Sequence, residues 1–209
     1  MSRLIFILGN PGSGKSSGLR NLKKTDVNYI SVSGKELPFV PDFTPVVAKS
    51  INEITALATK AKKPIVVVDD LNYVFNNETH SAKNEKDQWV VYRKIKDDFF
   101  ELINTITSKD TDQNFYLLAH LEPNDQNLVI MKTAGSAVRK DITPEGYSNI
   151  VLEAINDLGD FVFKVKSDGL SIKSPFFGDK PMFDTPTVAN DIKLVNDKIN
   201  AYYGKKETK

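Results

Sequence analysis

Gly9-Asn10-Pro11-Gly12-Ser13-Gly14-Lys15-Ser16 follows directly on the apolar run Leu4-Ile5-Phe6-Ile7-Leu8, and together they decide the fold. A short, continuous apolar run that ends in glycines reads as a strand buried on both faces. The octapeptide has the spacing G-x-x-x-x-G-K-[ST]. Its glycines let the backbone curl until successive N–H groups face inward around a phosphate. At this spacing Lys15 reaches the β- and γ-phosphates of a nucleoside triphosphate, and the Ser16 hydroxyl ligates Mg²⁺. The cradle therefore comprises Gly9, Asn10, Pro11, Gly12, Ser13, Gly14, Lys15, Ser16 and Ser17. A helix over residues 16–24 is expected to add N-terminal donors and the positive end of its dipole.

Ile65-Val66-Val67-Val68-Asp69-Asp70 supplies the matching half. An acid at the C-terminal end of a buried parallel strand lies where open α/β sheets bind ligands. Asp69 is placed to hold the magnesium shell, and Asp70 to accept a proton from, or orient, an attacking water. The alternative for both is capping of the next helix. His120 ends the strand Phe115-Tyr116-Leu117-Leu118-Ala119, where it either contacts the γ-phosphate or caps the strand. His80 reads as solvated. Lys132, Arg139 and Lys140 sit among small residues in a basic segment that neutralises phosphates of DNA, or of a nucleotide on a neighbouring subunit, or is a solvated loop.

Outside these motifs, strands are expected over 27–32, 128–131, 149–154, 161–165 and 170–172, and helices over 46–60, 87–106 and 188–203. Asn156-Asp157 and Asp168-Gly169 mark antiparallel hairpins. Residues 76–86 read as an exposed loop and 174–186 as irregular. Trp89 and Tyr92 fall on the apolar stripe of the long helix, which favours core packing over stacking of single-stranded bases. The fold class is α/β: a mostly parallel sheet flanked by helices, followed by antiparallel hairpins and a last helix. A single domain of 209 residues is expected, with a nucleotide-binding core at 1–125, a hairpin extension at 126–186, a helix at 187–204 and a basic tail at 205–209.

The absence of cysteine and the presence of only two histidines argue against a zinc site. A net charge of +1 gives no chain-wide attraction to nucleic acid, although a local groove needs none. The first apolar run is too short for a membrane span and runs into glycines and Lys15, so a soluble protein of the cytoplasm with no membrane partner is expected.

In this order the motifs resemble those of the small RecA-like P-loop ATPases of bacteriophage recombination and replication modules, the Sak group of single-strand annealing proteins. The resemblance runs through Asp69-Asp70-Leu71-Asn72-Tyr73, Leu118-Ala119-His120-Leu121-Glu122, Lys132-Thr133-Ala134-Gly135, Lys173-Ser174-Pro175, Met182-Phe183 and Asn190-Asp191. It implies a RecA-like core that binds ATP and Mg²⁺, contacts single-stranded DNA, self-associates and works beside other phage replication or recombination proteins. It places Lys15, Ser16, Asp69 and His120 in the nucleotide site, and Arg139 or Lys132 as a cation acting across a subunit interface. RecA itself takes its base from a glutamate after an early strand; the nearby glutamate here is Glu36, and Asp70 stands as the alternative. Three rivals remain: an AAA-type helicase loader with a helical lid, a small-molecule kinase with an arginine-rich lid, and a DNA-binding module that nucleotide switches without turnover.

Overall fold

A computed structural model describes residues 1–123, 129–133, 143–166, 172–177 and 180–204. The chain opens with β1 (Arg3–Leu8), and the phosphate loop then leads into a 3₁₀ turn at Ser16–Leu19. Strand β2 (Val27–Ser31) and the short β3 (Val46–Val47) precede helix α1 (Ile51–Lys60). Next come β4 (Ile65–Asp69), α2 (Asn72–Ser81), α3 (Gln88–Ser108) and β5 (Asn114–Ala119). The remaining strands are β6 (Leu121–Pro123), β7 (Val129–Met131), β8 (Ile150–Asp157), β9 (Asp160–Lys164), β10 (Phe176–Phe177), β11 (Lys180–Pro181) and β12 (Thr187–Ala189). Helix α4 (Ile192–Tyr202) closes the described chain.

Eight of these strands form one sheet in the order β12-β9-β8-β1-β5-β4-β2-β3. From β3 to β8 all neighbours are parallel, while β9 and β12 are added antiparallel. Alternate residues of each strand feed opposite cores. Leu4, Phe6 and Leu8 pack with α1, α2 and α3, whereas Ile5 and Ile7 pack with Leu19, Leu22, Phe43 and the apolar side of α4. Burial on both faces explains why β1, β4 and β5 read as unbroken apolar runs.

Several boundaries differ from the sequence reading. Residues 16–24 do not form a helix. Ser16, Ser17 and Gly18 are poor helix formers, and the Asp26 carboxylate accepts the Lys23 N–H at 3.1 Å, which turns the chain toward β2. Helix α1 begins at Ile51 rather than at 46, because Ser50 accepts the Glu53 N–H at 3.2 Å and Glu53 accepts the Lys49 N–H at 2.6 Å. Ser50 is thus the N-cap, and Glu53 reaches one residue past it in a variant of the capping box; the cap frees Val46 and Val47 to pair with β2. Residues 76–81 belong to α2, not to a loop; Val74 and Phe75 anchor that helix in the core, and Glu78 accepts the Ile51 N–H at 3.0 Å. Asp87 caps α3 in a phase that buries Val91 and leaves Trp89 69% exposed, so Trp89 is not a core residue. Residues 187–189 form an edge strand before Asp191 caps α4. The expected strand at 170–172 and the hairpin at Asp168-Gly169 fall largely outside the described residues.

Helix α4 is tied to the sheet by buried amides. Asn114 Nδ2 donates to Asn196 Oδ1 at 2.7 Å and to Asn200 Oδ1 at 3.0 Å, and the Tyr116 hydroxyl donates to Asn196 Oδ1 at 3.3 Å. Replacing Asn196 with Leu strands the Tyr116 hydroxyl in the core and removes one of the Asn114 acceptors. The expected cost is about 1–3 kcal/mol of unfolding free energy, read as a lower urea midpoint at unchanged slope; an unchanged midpoint would show that these bonds add nothing.

Candidate functional site

The C-terminal ends of β1, β4 and β5 come together through their registers: Leu8 pairs with Ala119, Val68 with Leu117, and Ser31 of β2 with Asp69. The turns after these strands therefore share one edge of the sheet, as expected for a ligand site in an open α/β sheet. A cavity of about 410 Å³ opens there. Gly12, Gly14, Lys15, Ser16 and Ser17 of the phosphate loop line it together with Asp69, Asp70 and His120, so these sequence-derived candidates meet in one place.

The loop is tightly seated. A methyl group at Gly9 would lie 2.4 Å from Ser13 Oγ and 2.7 Å from the Ala154 carbonyl oxygen, so only glycine fits. Gly14 has φ +90°, which disfavours any side chain. Asn190, 2% exposed, holds the loop from the far end of the chain: its Nδ2 donates to the Gly14 carbonyl at 3.1 Å. Among the described residues, the successive backbone N–H groups of Gly14, Lys15, Ser16 and Ser17 meet no protein acceptor. Ser13 Oγ is the one buried side-chain polar atom there without a hydrogen-bond partner. Donors left unpaired in a glycine cradle fit a phosphate group. The 3₁₀ turn that replaces the expected helix contributes little dipole, so the loop amides and Lys15 carry the attraction.

Lys15 is 5% exposed. Its Nζ donates to the Gly9 and Asn10 carbonyls at 2.7 and 2.9 Å and lies 3.4 Å from His120 Nδ1. Burial pulls its pKa down to about 8, partly offset by Asp69 and Asp70. The same burial, and then the Lys15 charge, lowers the pKa of His120. A neutral His120 that faces the ammonium with Nδ1 carries its proton on Nε2, 3.7 Å from Asp70 Oδ1. His120 is thus the link between Lys15 and Asp70. Its ring also packs edge-on to Tyr73, 5.9 Å between centroids.

Asp69 is 3% exposed. Burial, reinforced by the neighbouring Asp70 charge, raises its pKa, while hydrogen bonds from Ser16, Tyr29 and the Asp70 N–H work the other way. The Tyr29 hydroxyl donates to Oδ2 at 3.0 Å and the Asp70 N–H to Oδ1 at 2.9 Å. Ser16 and Asp69 line the same cavity, an all-oxygen pair suited to Mg²⁺. No cluster of three or more His, Cys, Asp or Glu able to hold a metal occurs among the described residues. A cation at Ser16 and Asp69 would accordingly complete its shell with phosphate oxygens and water, as Mg²⁺ does. Asp70 adopts φ 61°, a left-handed conformation that aspartate tolerates better than most residues.

Sequence reasoning missed Tyr29, Asn190 and Phe161. Tyr29 carries no motif; only the pairing of β2 with β4 brings it to Asp69. Phe161, from the β8–β9 hairpin, lines the cavity beside Gly14. Glu36 also lines it, from the loop after β2. Lys132 stands outside this cavity, in a groove described below, and Arg139 and Lys140 lie outside the described residues. His80 is exposed, as expected.

Among the described residues, no helix is long and apolar enough to cross a membrane. The family model for the ATPase family associated with various cellular activities (AAA) matches residues 5–140, a span that contains the phosphate loop, Asp69, Asp70 and His120. No curated protein matches the chain.

Tyr29→Phe removes a donor that orients the Asp69 carboxylate. Outer-shell partners of this kind typically support about tenfold or more in metal affinity. Titrating Mg²⁺ against ATP binding is expected to show a loss of that order with metal-free nucleotide binding preserved; an unaltered Mg²⁺ requirement would make Tyr29 a packing residue only.

Proposed function

Because the chain belongs to the ATPase family associated with various cellular activities (AAA), it binds and hydrolyses ATP, and we propose that it does so with Mg²⁺ while acting on single-stranded DNA in phage recombination or replication. The observation that carries the ATPase reading is the convergence of Lys15, Ser16, Asp69, Asp70 and His120 on one cavity.

Lys15 neutralises β- and γ-phosphate charge, and the loop amides hold the phosphates in place. Ser16 and Asp69 would hold Mg²⁺, which would supply Lewis-acid charge stabilisation. Asp70 is the carboxylate best placed to align the attacking water and take its proton. It stands beside His120, and His120 in turn contacts Lys15. Positioning and electrostatics carry this chemistry, without a covalent enzyme intermediate.

Two features support a nucleic-acid strand as partner. Beyond α2, a groove of about 760 Å³ is lined by His80, Lys83, Gln88, Tyr92, Glu122 and Lys132, with Trp89 exposed close by in sequence. Cations beside aromatic rings suit a single strand, whose bases stack and whose phosphates pair with lysine. The groove is also hydrogen-bonded to the nucleotide side: the Lys132 N–H donates to the His120 carbonyl at 2.8 Å, and the His120 N–H donates to Asn72 Oδ1, at the start of α2, at 3.1 Å. A shift of His120 with nucleotide state would reach both walls. Self-association with a basic residue such as Arg139 acting in trans belongs to the same proposal.

ATP turnover measured with and without single-stranded DNA tests it. Turnover is expected to rise with the strand, and to be lost in Lys15→Ala and Asp69→Ala. Turnover indifferent to DNA, together with phosphate transfer to a nucleoside, would replace the proposal with a kinase.

A further inference from the structure

We propose that Phe161 is the platform on which the nucleobase of the bound triphosphate stacks, an inference that rests on the ATP-binding reading above. Phe161 and Phe163 point to the same face of β9, as residues two apart in a strand do. Phe163 is fully buried against Gly18, but Phe161 is 42% exposed and lines the cavity that holds Lys15 and Asp69. Its ring lies against the loop backbone, since a Cβ built on Gly14 would come within 2.7 Å of Phe161 Cδ1.

Sheet order says which end of the nucleotide lies there. Asp69 and His120 stand on β4 and after β5, on one side of β1, whereas β8 and β9 stand on the other. Lys15, Asp69, Asp70 and His120 fix the γ-phosphate end on the β4–β5 side. The loop amides cradle the phosphates behind the γ-phosphate, so the remainder of the molecule leaves that end along the loop, where Gly14, Ser17 and Phe161 line the cavity. Crossing from β1 to β9 spans two strand spacings, about 10 Å, which brings the base end over the β9 side. The other ring in the cavity without a strand carboxylate to hold, Tyr73, is engaged by His120 and by Lys35, whose Nζ lies 4.9 Å from its centroid. Phe161 has no ring or cation partner among the described residues. It also lies beyond residues 5–140, so this subsite comes from the hairpin outside the matched segment. Stacking tolerates any base, so the platform would favour nucleotides over bare phosphates without selecting adenine.

Calorimetric titration of ATP and of inorganic tripolyphosphate, each with Mg²⁺, separates the base from the phosphates. Phe161→Ala and Phe161→Leu, the second keeping an apolar contact with Gly14, are expected to weaken ATP by about tenfold to a hundredfold. Tripolyphosphate affinity should stay unchanged, and Phe161→Tyr should restore ATP. Undiminished ATP affinity in Phe161→Leu, or an equal loss for both ligands, would overturn the proposal and leave Phe161 as a prop for the loop. Wild-type protein that binds neither ligand would remove the ATP reading itself.

Discussion

The parallel insertion of β5 between β1 and β4 is the constraint on which the site depends. Its register with β1 sets Ala119 beside Leu8, so that His120 emerges next to the phosphate loop. Its register with β4 sets the Asp69–Asp70 turn on the opposite flank. The Leu71 N–H closes that turn onto β5 through the Leu118 carbonyl at 3.0 Å. A lysine, a histidine and a pair of carboxylates distant in sequence thus become neighbours through backbone pairing alone. A register slip would send the core side chains to the wrong face as well, so packing and chemistry specify the same alignment.

Within that frame the electrostatics are mutual. Burying Lys15 is unfavourable for its charge, as its pKa of about 8 records, and burying Asp69 is unfavourable for the carboxylate. The lysine is made tolerable by the charges of Asp69 and Asp70 and by the carbonyls of Gly9 and Asn10, and the aspartate by hydrogen bonds from Ser16, Tyr29 and the Asp70 N–H. Desolvated groups of opposite charge, held apart by short loops, are prepared to accept a ligand that carries both phosphates and a cation.

Much of this was legible in the sequence, because the site hangs on features with strong local signatures. The glycine spacing at residues 9–15 and the apolar runs ending at Leu8, Asp69 and Ala119 identify three strand ends, and three strand ends locate the cavity. The hairpin at Asn156-Asp157 was equally plain, closing through Leu158 and Gly159 at positive φ. What was not legible depends on tertiary contacts. Tyr29 reads as an ordinary strand residue until β2 is laid beside β4. The need for glycine at position 18 shows only once Phe163, from a strand far along the chain, is packed against it. The stripe Ile95, Phe99, Leu102, Ile103 and Ile106 is buried as its periodicity implies, but in the first turn of α3 it continues through Val91, which leaves Trp89 outside the core. The capping box at Ser50 and Glu53 was present in the sequence and would have set the start of α1.

The loop at Gly9 to Ser17 and the Asp69 turn are proposed to hold one Mg²⁺–triphosphate between them. A crystal structure with Mg²⁺ and a non-hydrolysable ATP analogue tests this most directly. Phosphates are expected on the loop amides and Lys15, with the cation between Ser16 and Asp69. Nucleotide bound elsewhere, or a cation with no contact to either residue, would contradict it.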